Sequence, residues 1–164
     1  MITSKKYGDW SRFLNGLQKY TNDCKETRTR IVKKAAIIGE NLLKRNIQSG
    51  GTLAGAPFAA NSAVTIAAKG SSKPLIDSGE FMGSITKKVI DSETSFAGVL
   101  KMSIHGANIP AIHEAGTNRA GRGNKVVIPA RPWLQPVADS PILEEKVRAM
   151  ADKEHQDLMN RLFS

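Results

Sequence analysis

The sequence predicts an α+β fold, with a long N-terminal helix and a C-terminal helix packed on a small antiparallel sheet and joined by extended loops. Three observations predict it. Ile31, Ala35, Ile38 and Leu42 recur at helical spacing and form one apolar stripe. Leu100, Met102 and Ile104 alternate with Lys101, Ser103 and His105, the period-2 pattern of a strand with one buried face. Leu143, Val147, Met150, Leu158 and Leu162 follow Ser140-Pro141, a favourable N-cap and first helical residue.

Taken in order, residues 9–20 predict a short helix with Trp10, Phe13, Leu14 and Leu17 on one face, within an N-terminal extension over 1–21. Residues 22–48 predict the long helix, and Gly50-Gly51 ends it. At 100° per residue, Leu43 and Ile47 point away from the Ile31–Leu42 stripe and Ile37 flanks it. A helix apolar on several sides needs several neighbours. These are either the rest of the domain plus another subunit, or the first helix folded back over the second.

Residues 50–80, rich in Gly, Ala, Ser and Pro, predict a loop with short helices over 61–69 and from Ser78. Strands follow at 84–91 and 98–105, with a polar connection between them, and a third at 125–128 after the loop 116–124. The last helix occupies 139–164, with Glu144 and Glu145 suited to its dipole. The 164 residues fit one domain, large enough to fold without a disulfide or metal.

Net charge is +9, and residues 1–50 carry 11 Lys/Arg against 4 Asp/Glu. Arg30, Lys33, Lys34 and Lys44 project from the long helix within a sector of about 100°. Arg119 and Arg122 sit in a glycine-containing loop. Such a distribution suits an anionic partner, nucleic acid or an acidic protein surface, or simply a solvated face. No zinc finger, aromatic RNA-binding motif or helix-turn-helix accompanies it, so only loose backbone attraction to DNA is expected. The start of the chain has no apolar stretch of signal-peptide type, and no run reaches the ~18 apolar residues of a membrane span.

Reactive chemistry finds little support. His113-Glu114 opens like the zinc-protease motif HExxH, but the second ligand position holds Thr117. Cys24 is the one cysteine and no motif places a His or Asn beside it. Neither Gly-rich piece, Gly50-Gly51 or Gly121-Arg122-Gly123, has phosphate-loop spacing. No cofactor, metal or enzymatic activity is expected. Pro129, Arg131 and Pro132 stiffen a segment that Trp133 and Leu134 can anchor, with Arg131 pairing a carboxylate, Glu114 for instance, or capping carbonyls.

Three segments together resemble the virion-morphogenesis family of neck and tail-completion proteins of tailed bacteriophages. They are residues 69–85 (KGSSKPLIDSGEFMGSI), 112–116 (IHEAG) and 128–134 (IPARPWL), preceded by a Lys-rich helix ending near IQSGG. The resemblance spans about residues 25–138. It implies a structural virion protein, made in the host cytoplasm and carried into the neck. There it forms a ring, a hexamer by tail symmetry, between the head connector or adaptor and the tail terminator or tube. Packaged DNA passes through it, with any contact to the DNA being non-specific, and no membrane is involved. His113, Glu114, Gly116, Arg131, Pro132 and Trp133 are then framework or interface residues, with Ile37, Leu43 and Ile47 as interface candidates on the helix. The alternative is a basic DNA-binding accessory protein of phage assembly.

Overall fold

A computed structural model describes residues 8–100, 103–104 and 107–163. Its longest element is α1, Trp10–Gln48, a helix of 39 residues and about 58 Å. Asp9 caps it by accepting from the Arg12 N–H at 2.9 Å. The two expected helices are therefore one. Thr21, Asn22 and Asp23 read as a helix start, but tertiary contact overrides that local signal. Arg161 pairs with Asp23, and the Tyr20 and His155 rings meet edge-on at 6.3 Å, so the last helix supports α1 across the anticipated break. The stop falls where expected, with Gly50 and Gly51 at φ +70° and +95°.

Among the described residues, four short helices and three two-stranded ladders lie between the long helices. α2 is Ala63–Lys69, capped by Ser62, and α3 is Glu80–Ser84. The residue entering α3 is Gly79 at φ +85° rather than Ser78, whose hydroxyl instead accepts from the Glu80 N–H. β1 (Ile85–Val89) pairs antiparallel with β2 (Ser95–Val99), from Ile85 opposite Val99 to Val89 opposite Ser95. β2 thus begins inside the supposed polar connection and ends before Leu100, which is 62% exposed. The strand starts three residues before the expected 98–105 because Asp91 closes the turn early, accepting from the N–H groups of Glu93 and Thr94. Lys101, Met102 and His105 of that predicted strand lie outside the described residues. Ser103–Ile104 (β3) instead pairs with Ala107–Asn108 (β4).

α4 is Ile109–Ala115, begun by the Asn108 side chain and Pro110. β5 (Thr117–Ala120) and β6 (Val126–Ile128) form the third ladder, so part of the predicted loop is strand. A short α5, Gln135–Ala138, leads into α6, Pro141–Phe163, which opens where the sequence placed it, with the Ser140 hydroxyl accepting from the Ile142 N–H. The α+β class stands, with three small ladders in place of one sheet.

α1 is the spine. Its C-terminal half lies on β1 and β2, so close that a Cβ on Gly39 would stand 3.0 Å from that of Ala97. Leu42, Leu43 and Ile47 join Phe58, Phe81, Ile85, Trp133 and Val137 in the main core. Leu43 and Ile47 are thus satisfied within the chain, and no folded-back helix is needed to cover them. The N-terminal half of α1 runs antiparallel to α6. Glu154, 8% exposed, accepts from Arg30 at 3.2 Å and pairs with Lys34, and Arg30 also reaches the buried Thr27 hydroxyl. Glu40, 9% exposed, pairs with Lys44 of its own helix and Lys87 of β1.

These cations hold both carboxyls below the ordinary value of 4.5. A carboxyl whose pKa is depressed by folding adds stability above its unfolded pKa, and loses it as pH falls through the folded one. Stability is therefore expected to decline as pH drops below about 4.5. Urea midpoints measured across that window should fall less steeply in a Glu40→Gln, Glu154→Gln double variant.

Candidate functional site

The three segments that carry the family resemblance converge at one end of the main core. Their polar groups are used on one another. Glu114, in the last turn of α4, turns its carboxylate onto the start of α5. One oxygen accepts from the N–H groups of Trp133 and Leu134 at 2.8 and 2.9 Å, and the other from Gln135 at 3.0 Å. It caps a helix start from a distant point in sequence, and the negative charge suits that helix end. Glu114 therefore does not pair with Arg131.

Arg131, 6% exposed, grips the loop before α2. Its guanidinium donates to the carbonyls of Ala59 and Ala60 at 2.8 and 3.1 Å and to the Asn61 side chain at 3.2 Å. A planar fork of donors fits such a set of oxygens better than a Lys ammonium. The Arg131 backbone N–H donates to the His113 carbonyl at 2.7 Å, closing the triangle between α4 and the Pro-rich segment. Pro132 between them is exposed and limits backbone freedom.

Trp133, 3% exposed, is the keystone of the packing. Its indole N–H donates to the Pro110 carbonyl at 3.1 Å, and its ring meets Phe81 edge-on at 5.2 Å. Phe81 also meets His113 edge-on at 5.7 Å, which ties the 69–85 segment to the other two. Buried Asn46 of α1 donates to the Trp133 carbonyl at 3.3 Å. Gly116, just after α4, has φ +74° and ψ 174°, a region essentially restricted to glycine. A Cβ there would lie 2.7 Å from the Ala130 nitrogen and 2.9 Å from the Ile128 carbonyl. Gly116→Ala is expected to cost about 2–3 kcal/mol, read as a lower urea midpoint at unchanged slope.

Beside this junction lies an open cleft of about 580 Å³, bounded by α2, the 75–81 segment, α4 and β6. His113 and Arg131 line its floor and Val126 and Val127 its rim. Burial, then the charges of Arg131 and Lys69, push the His113 pKa below 6.5. The imidazole is therefore neutral at pH 7, and its buried Nδ1 has no hydrogen-bond partner. Among the described residues no acid, thiol or hydroxyl hydrogen-bonds the His113 side chain as a nucleophile–base pair, and no three His, Cys, Asp or Glu side chains cluster as metal ligands.

The electrostatic candidates divide in two. Arg30 and Lys34 pair with Glu154 of α6 and Lys44 with Glu40 of its own helix, while all three side chains stay partly exposed. Lys33 is exposed, as are Arg119 on β5 and Arg122 in the turn before β6. Ile37 is half-buried. Sequence reasoning missed Asn46 and the two buried glutamates. The helical spacing of Asn46, four residues after Leu42 and three after Leu43 on the same apolar face, was the available signal for the first. Nothing local marks Glu154, because its partners lie more than 100 residues away.

Among the described residues no helix is long and apolar enough to cross a membrane. No family model and no solved structure matches the chain. The chain is 42% identical over 76 residues to the Mu-like prophage FluMu G protein 2 of Haemophilus influenzae, an alignment covering 44% of this chain. It spans about half the length of that curated relative, 48%. The chain is thus related to a phage protein.

Proposed function

We propose that the protein is a non-enzymatic structural subunit of a tailed-phage particle, of the neck or tail-completion type. It assembles with copies of itself, as a hexameric ring, and with the connector and tube proteins on either side. One observation carries this reading. The residues that give the three segments their character are used on holding the chain together: Glu114 on the start of α5, Arg131 on the 59–61 loop and Trp133 on the core. A relative that is a Mu-like prophage protein supports the phage setting. The work of such a subunit is mechanical: a rigid frame presents loops and helix faces to neighbours, and contacts of roughly 1,000 Å² or more hold the ring.

Mass photometry of the purified protein, alone and mixed with connector or tube proteins of the same phage, tests the proposal. Ring-sized species in the mixtures are expected. A fixed monomer in every mixture overturns it.

The rival reading, a DNA-binding accessory protein, rests on the basic first fifty residues, with 11 Lys/Arg against 4 Asp/Glu. The engagement of Arg30, Lys34 and Lys44 with buried glutamates weighs against it. Titration with duplex DNA over a salt series separates the two, since tight binding that falls steeply with salt would favour the rival.

A further inference from the structure

Among the described residues, the first two turns of α1 are covered by little more than the end of α6, where the Phe13 and Phe163 rings lie 6.1 Å apart. α6 ends at Phe163, whose ring lies where a Cβ on Gly16 would stand, 2.6 Å away. N-terminal to that point Trp10 is 46% exposed, Phe13 45% and Leu14 59%, and Leu17 one residue beyond is 43% exposed. At 100° per residue these four share one face about 100° wide. Trp10 and Phe13 stack edge-on at 6.0 Å, so the patch is a formed surface. A helix end this short is marginal without packing.

We propose that this face binds the same face of a second copy, antiparallel, about a two-fold axis. The spacing of the four residues is the first support. Positions 10, 13, 14 and 17 are symmetric about the midpoint of Phe13 and Leu14. Antiparallel pairing centred there sets Trp10 against Leu17 of the second copy and Phe13 against Leu14, with the same contacts repeated in reverse, as a two-fold interface requires. Charge is the second support. Ser11 and Gln18 border one edge of the patch and Gly16 and Tyr20 the other, all neutral, with the capping Asp9 at its N-terminal end, while Arg12, Asn15 and Lys19 fall on the opposite side of the helix. Two copies of a +9 chain can approach here without like charges meeting. An anionic lipid surface would call for Lys and Arg along the edges of the apolar face, where this helix has none. Size is the third. The exposed parts of the four side chains amount to roughly 350 Å² per copy, against about 800 Å² per partner in a standard interface. The isolated pair is therefore weak and concentration-dependent. The inference concerns the isolated chain and does not depend on the particle assignment.

Sedimentation velocity of the full chain over a concentration series is the test. A reversible monomer–dimer equilibrium is expected, weakened about tenfold or more by Leu14→Asp. Register is read by mixing Trp10→Cys and Leu17→Cys copies, both with Cys24→Ser, under mild oxidation. Disulfide between unlike copies is expected, and preferential Trp10→Cys pairing with itself contradicts the antiparallel arrangement. Monomer at every concentration overturns the proposal. In that case, flotation with anionic vesicles, or dimers formed only after deletion of residues 1–7, would identify a different occupant.

Discussion

Trp133→Ala is expected to destabilise the protein by about 3–5 kcal/mol, the range for removing a large buried aromatic. Three losses combine. The indole leaves a cavity beside Leu42, Leu43, Ile47 and Phe81, the Pro110 carbonyl loses its donor, and the edge-on contact with Phe81 disappears. The cost is large because the wall behind the ring is α1, whose long contact with α6 and the β1–β2 ladder resists collapse into the gap. Urea denaturation followed by circular dichroism measures it. Trp10, the other tryptophan, then reports separately on the N-terminal end of α1 by fluorescence.

Glu114→Ala ranks next, at about 3 kcal/mol. The carboxylate is the acceptor for three consecutive backbone N–H groups, and truncation leaves those of Trp133, Leu134 and Gln135 without it. Gln135 lies in an exposed setting and can turn to water, while the Trp133 and Leu134 bonds are partly buried, so most of the cost falls on these two. Glu114→Gln keeps one acceptor oxygen and should cost about half as much. Because Glu114 bonds the backbone that carries Trp133, the two losses are not independent. A double-mutant cycle is expected to give a coupling of about 1 kcal/mol or more. Additive effects would show that capping and core packing are separate.

The sequence revealed the helices better than the ladders, for a physical reason. Helical periodicity is local, and the stop at Gly50-Gly51 and the start at Ser140-Pro141 are local chemistry, so the inner boundaries of α1 and α6 were legible. The break expected near residue 22 was absent because α6 packs across it, and no local pattern encodes that contact. The ladders are only two to five residues per strand, too short for alternation to fix register, and Leu100 shows the result by standing exposed where burial was expected. At the site, the sequence named Glu114 and Arg131 but left their pairing open. Arg131 caps carbonyls and Glu114 caps α5, whereas opposite charge alone suggested that they meet each other. The basic stripe was legible as cations but not in its pairings, because composition counts cations and cannot see Glu154 folding back from the far end of the chain.

Virions assembled without this gene product test the structural-subunit account most directly. Electron microscopy of the lysate, with a plaque count, is expected to show finished heads and tails that are not joined and almost no infectious particles. Intact, infectious virions in normal number would contradict it.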